Sequence, residues 1–132
     1  MQIPKFLSLE QVIDIHQRQI DIFGGTAGIR DKGLLVSALA QPQASFFGEL
    51  LHPTIHEQAA AYLFHLAKNH PFIDGNKRTS FAVTVVFLGL NGYRLNLVSV
   101  DAYSLVIQVA TGAISKAELA LFLEANIQFL SG

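Results

Sequence analysis

Cysteine is absent from this chain of 132 residues, so no disulfide framework holds the fold together. An excess of charge of one sign is missing too. Nine Lys and Arg stand against ten Asp and Glu, which leaves a formal net charge of −1 and a pI near 6.5. That balance provides no basic field for non-specific nucleic-acid binding, and no local basic run replaces it, so direct nucleic-acid binding is not expected. The chain does not open with a charged n-region and an apolar h-region, which makes a cytoplasmic location the expectation. The longest nearly apolar run, Phe81 to Leu90, is ten residues and contains Thr84. A bilayer span needs about 20, so that run reads as a buried helix and no membrane role is expected. Repeats, linkers and low-complexity tracts are lacking, and the length fits one domain covering residues 1–132.

Apolar residues, in contrast, are plentiful. They make up 51% of the chain, with a mean hydropathy of +0.39. For a small chain with few charges this implies an exposed apolar surface that a partner covers.

The periodicity predicts an all-α fold. Ser8-x-x-Gln11, Thr54-x-x-Glu57 and Ser115-x-x-Glu118 each have the form of a capping box followed by apolar residues at helical spacing, giving helices over about 8–22, 54–69 and 115–130. Asp31 can cap a helix running to Ala40, before Pro42, and Ser99 one that ends at Gly112. A central helix runs from Lys77 to about Asn91 and is closed by Gly92. Tyr93 to Leu97 alternates and reads as a short extended piece, too small to seed a sheet.

The chemistry concentrates in His70-Pro71-Phe72-Ile73-Asp74-Gly75-Asn76-Lys77-Arg78. This segment places a base, a carboxylate, a glycine turn and two cations at a helix start, where unpaired backbone N–H groups and the macrodipole favour an anion. Gly75 allows close approach of that anion, Asn76 adds side-chain donors, Arg78 can hold two phosphate oxygens and Lys77 acts as a point charge. Asp74 gains nothing beside a phosphate unless a cation lies between them, and Mg²⁺ commonly takes one or two carboxylates plus substrate phosphates. Pro71 helps to end the preceding helix at His70, and Phe72 is expected to plug the core and fix the loop. His70, whose ordinary pKa lies near 6.5, is then the natural general base for a hydroxyl that attacks phosphorus.

Each of these residues also has a plainer reading. Asp74 could simply cap the central helix. Lys77 and Arg78 would ordinarily be solvated, although positive charge in a first helical turn opposes the dipole unless an anion compensates. Lys68 is a further candidate phosphate contact. His52 and His56 beside Glu57 lack both the H-E-x-x-H arrangement and a third ligand. His16 and His65 are expected on helix faces, and Arg30-Asp31 first as a cap with its ion-pair neighbour and second as a substrate contact. Phe46-Phe47 and Leu50-Leu51 read first as core and second as the edge of a flap that pins a target segment.

The nine-residue segment resembles the core motif of the Fic/Doc superfamily, His-x-Phe-x-(Asp/Glu)-Gly-Asn-x-Arg, and within it the Doc (death-on-curing) branch. Lys77-Arg78-Thr79 carries that distinction, because adenylyl-transferring Fic enzymes usually have Gly at the Lys77 position and a second Arg at the Phe81 position. Gly24-Gly25, Gly28-Ile29-Arg30-Asp31, Ala59 to Leu63, Phe87-Leu88, Asn91-Gly92 and Ala110-Thr111-Gly112 extend the likeness over nearly the whole chain. The resemblance implies a helical bundle with the motif loop between two central helices. It also implies a toxin, inhibited by a cognate antitoxin protein, that transfers the γ-phosphoryl of ATP with Mg²⁺ to a hydroxyl of a translation factor, elongation factor Tu. The implied roles are His70 and Arg78 in catalysis, Asp74 on the metal, and Gly75, Asn76, Lys77, Arg78 and Lys68 on the nucleotide.

AMP transfer to a protein hydroxyl is the first alternative, and an inactive binding module the second. The intact His70, Asp74, Asn76 and Arg78 weigh against the latter. Transfer to a small-molecule hydroxyl is a further possibility. Self-inhibiting Fic proteins carry a (Ser/Thr)-x-x-x-Glu-(Gly/Asn) helix; Ser45 to Leu50 comes nearest and fails at its last position, which points to inhibition in trans.

Overall fold

The structure, a computed structural model, describes residues 3–130. Among the described residues the order is α1 (Leu9–Phe23), α2 (Lys32–Ala40), β1 (Ser45–Phe46), β2 (Glu49–Leu50), α3 (Ile55–Asn69), α4 (Asn76–Leu90), β3 (Tyr93–Leu95), α5 (Ser99–Thr111), α6 (Lys116–Asn126) and β4 (Ile127–Phe129). The fold is all-α, and its few strands are short.

Helix starts follow side-chain chemistry. Ser8 and Ser115 form full capping boxes on α1 and α6, each hydroxyl accepting a backbone N–H three residues on while Gln11 or Glu118 accepts the cap's own N–H. Thr54 caps α3 through the Glu57 N–H, but the Glu57 carboxylate takes the Thr54 hydroxyl at 2.6 Å instead of closing back on the backbone. Asp31 caps α2.

Three boundaries differ from the sequence reading. Ser99 lies inside α5, whose cap is Val98 with no side-chain bond. Asn76 rather than Lys77 begins α4, because Gly75 turns the chain into the helix in a left-handed conformation. The last helix stops at Asn126, since Ile127–Phe129 pairs antiparallel with Tyr93–Leu95. The extended piece after α4 therefore has a partner from the far end of the chain.

The core sits around α3, which packs on α4, α6, α2 and α5. A helix apolar on every side must be buried, and Ala59, Ala60, Ala61, Leu63, Leu66 and Ala67 are all buried to 1% exposure or less. The alanines let neighbouring helices approach closely, and each buried leucine contributes about 2 kcal/mol. Tyr62 packs on Phe87 at 4.8 Å and its hydroxyl accepts the Leu7 N–H at 2.9 Å. Burial pushes that phenol up to about 12, so it stays protonated.

Phe46, Phe47, Leu50 and Leu51 do not enter this core. They lie on an exposed hairpin in which β1 pairs with β2 across Phe47 and Gly48, both at positive φ. Glu49 is consequently in a strand and not in a helix.

Candidate active site

The loop of residues 70–75 joins the end of α3 to the start of α4. His70 terminates α3 in the left-handed region at φ 48° and ψ 55°, which agrees with the bias of Pro71 against continued helix at the residue before it. The last carbonyls of α3 have no helical partner. Arg30 supplies one, donating from Nε to the His70 carbonyl at 2.7 Å and from Nη2 to the Asn69 carbonyl at 2.9 Å. Its charge also suits the negative end of the helix dipole. The Pro71 carbonyl accepts the N–H groups of Arg30 and Asp31, and Ile73 donates to the Gly28 carbonyl at 3.1 Å, so residues 28–31 run beside the loop as a one-bridge ladder at Ile29 and Phe72. Arg30 is thus a clamp on the backbone rather than an ion-pair neighbour. The imidazole-bearing His70 is left exposed.

Phe72 is 1% exposed and plugs the core as expected. The side-chain oxygen of Asn76 accepts the Phe72 N–H and its amide donates to the Phe72 carbonyl, both at 2.9 Å. The Asn76 side chain, expected among the phosphate donors, is therefore engaged within the loop. What it presents to an anion is its backbone N–H at the first position of α4.

Asp74 does not cap α4: the cap residue is Gly75, which makes no side-chain hydrogen bond. Instead Asp74 Oδ2 accepts the Thr26 N–H at 3.2 Å and Oδ1 accepts the Gly75 N–H at 2.8 Å. These two bonds, Thr26 foremost, hold the carboxyl below the usual carboxylate range, with the nearby Arg78 and His16 reinforcing them. An exposed, ionised and oriented carboxylate results. Among the described residues no group of three or more His, Cys, Asp or Glu side chains comes together. This donor set fits a cation that draws its remaining ligands from phosphate and water, which is how Mg²⁺ binds.

The first turn of α4 has no side-chain cap, and its orphan N–H groups open beside Gly75, Lys77 and Arg78. Arg78 donates to the Gly24 carbonyl at 3.1 Å and lies over the Phe23 ring at 5.1 Å, which steers its guanidinium toward the loop. From Lys77 and Arg78 a groove of about 490 Å³ extends between α1, α4 and α5, walled by Phe23, Phe81, Tyr103 and Val106. Lys68 points elsewhere, with its ammonium over the Phe64 ring and against Gly112.

Two contributors were not legible in the motif. His16, expected on a helix face, is 3% exposed and meets the loop from α1; the available signal was a polar residue between Val12 and Ile20 on an otherwise apolar stripe. Gly25 lies so close to Asp74 that a Cβ there would fall 2.7 Å from Oδ2. Its place in the Gly24-Gly25 landmark gave the position without the reason.

A sequence profile of the Fic/DOC family matches residues 6–88. The toxin Doc of Mycolicibacterium smegmatis is 48% identical over 73 residues, a stretch that spans 55% of this chain and 56% of that protein. The protein kinase doc of Escherichia phage P1 is 32% identical over 116 residues, 88% of this chain and 90% of the phage protein. The chain thus spans little more than half of the first relative and nearly all of the second.

Proposed function

The chain belongs to the Fic/Doc family, and on that premise we propose that it is a Doc-type toxin that transfers the γ-phosphoryl group of ATP to a protein hydroxyl. The observation that carries this reading is the juxtaposition of an oriented, ionised Asp74 with the uncapped start of α4 and the cations of Lys77 and Arg78. Phosphoryl transfer needs positioning and charge stabilisation far more than covalent chemistry, and this site offers both.

In this reading the α4 N–H groups, Lys77 and Arg78 bind the phosphates, and Arg78 also offsets charge that develops on the transferring group. Asp74 would hold Mg²⁺, which neutralises phosphate charge when bound. His70 takes the proton of the attacking hydroxyl as the new O–P bond forms and the bond to the ADP oxygen breaks. The aromatic groove beyond Lys77 offers apolar walls to the nucleoside. Its lining includes Lys77 and Arg78, so a nucleoside held there would lie beside the proposed phosphate contacts. The absence of Gly at Lys77 and of Arg at Phe81 supports kinase over AMP transfer. By family resemblance the target is elongation factor Tu and the inhibitor a cognate antitoxin, both in the cytoplasm. The relatives' names, a toxin Doc and a protein kinase doc, support the coarser reading.

The test is incubation of the protein with Mg²⁺, bacterial lysate and ATP labelled at either the α- or the γ-phosphorus, with His70→Ala as control. Label from γ alone, lost in the variant, is expected. Label from α would overturn the kinase reading, and label from neither would overturn transfer onto protein.

A further inference from the structure

His16 is the one buried side chain of α1 that is not apolar, in a row with Val12 and Ile20. A polar group in that place costs stability unless it finds a partner. Its partner lies 58 positions away: Nε2 is 2.8 Å from the Asp74 carbonyl oxygen. A carbonyl only accepts, so Nε2 carries the hydrogen and donates it. The ring also lies flat on Phe72, with centroids 3.8 Å apart and planes 5° from parallel.

The Asp74 carbonyl belongs to the same rigid peptide unit as the Gly75 N–H, since a peptide bond holds C=O and N–H in one plane, pointing oppositely. His16 grips the oxygen side of this plane. On the other side the Gly75 N–H donates to Asp74 Oδ1 at 2.8 Å. Gly75 is left-handed at φ 74° and is followed directly by α4. The plane has no other side-chain anchor among the described residues, so its tilt sets both where the carboxylate points and how the first turn of α4 begins.

We propose that His16 is a positioning residue of this site: by fixing the Asp74–Gly75 peptide plane it aims the Asp74 carboxylate and the N–H groups that follow. The consequence for nucleotide binding rests on the function proposed above, whereas the positioning does not. Removing a group that orients a metal ligand typically costs 10–100-fold in affinity.

The experiment uses the full chain with His16→Phe, which keeps an aromatic ring on Phe72 but no donor, and His16→Gln, which keeps a donor but no ring. Amide hydrogen exchange is read by NMR at Gly75 and Thr26, with Leu63 and Leu66 in α3 as internal controls, and the affinity for ADP with Mg²⁺ is read by calorimetry. In His16→Phe, Gly75 and Thr26 are expected to exchange at least about tenfold faster with α3 unchanged, and the affinity to fall by about tenfold or more; His16→Gln restores both. Unchanged exchange at Gly75 in His16→Phe, a Gln variant that behaves like Phe, or a uniform loss of protection that includes α3 would each overturn positioning and leave His16 as packing. Should the unaltered protein fail to bind ADP with Mg²⁺, the nucleotide reading falls while the exchange data still decide the role of His16.

Discussion

Among individual residues, Asn76 and Gly25 show how the loop spends its polar groups. Asn76 satisfies both the N–H and the C=O of Phe72 in a buried position. Its replacement by Ala leaves two backbone groups without partners, and each unpaired buried group costs about 1–3 kcal/mol. Asn76→Ala is therefore expected to lower unfolding stability by about 2 kcal/mol or more in a urea titration, and to abolish label transfer even where the fold survives. An Asn that served phosphate alone would leave stability unmoved. Gly25→Ala has a different signature. The residue is at φ 116° and its Cβ would strike Asp74 Oδ2, so the carboxylate must turn away. Loss of Mg²⁺-dependent transfer with only modest loss of stability is the expected outcome. Asp74, Gly75 and Arg78 could be singled out as candidates because a carboxylate, a glycine turn and a cation stand within five consecutive positions. The Thr26 and Gly24 groups that hold Asp74 and Arg78 are distant in sequence and could not. His16 and Gly25 were obscure because their roles exist only once α1 and the following turn meet the loop.

Helices were legible wherever a cap is written into neighbouring residues, as at Ser8, Asp31, Thr54 and Ser115. Where the deciding contact is distant, the reading failed: the last helix was expected to continue to 130, but the chain leaves it at Asn126 and Ile127–Phe129 pairs with Tyr93–Leu95 instead. The junction of α3 and α6 carries a consequence for pH. His65 Nε2 lies 3.2 Å from Lys116 Nζ, and burial, then the charge of Lys116, then His52, push its imidazole down to about 4. The unfolded chain binds a proton at this residue near pH 6.5 while the folded chain does not until about pH 4. Between those values the unfolded state holds more protons, so stability falls as pH is lowered through the window and is fully present above it. Denaturant midpoints measured at pH 7 and pH 5 should therefore drop for the unaltered protein. The drop should shrink in His65→Gln, which keeps an acceptor for Lys116 but cannot titrate. An equal drop in both would place the acid sensitivity elsewhere.

For the molecule as a whole, the high apolar content divides into two uses. One part fills the core around α3. The other remains outside, and the hairpin of β1 and β2 is its clearest case, with Phe46 64% and Phe47 92% exposed. Both turn residues, Phe47 at φ 50° and Gly48 at φ 80°, have the positive φ of a type I′ turn, in which Asn or Gly is favoured at the first position and Phe is strained. A side chain that pays backbone strain for exposure does not stabilise the monomer. Phe47→Asn is accordingly expected to leave the melting temperature unchanged or slightly higher and the affinity for ADP with Mg²⁺ unaltered, because the hairpin contributes nothing to the Asp74 loop. If the hairpin is the edge of a flap that holds the target, the same variant should weaken phosphorylation of protein in lysate severalfold through a higher KM for the target, with kcat little changed. A lower kcat at equal KM would instead mean that Phe47 acts on the reacting groups themselves, and no change in either would overturn a role of the hairpin in holding the target. The separation follows from the architecture: the loop proposed to hold the nucleotide is built between α3 and α4, whereas the hairpin of β1 and β2 is a separate exposed element. Under the proposed function a change at Phe47 therefore reaches the acceptor protein without disturbing that loop.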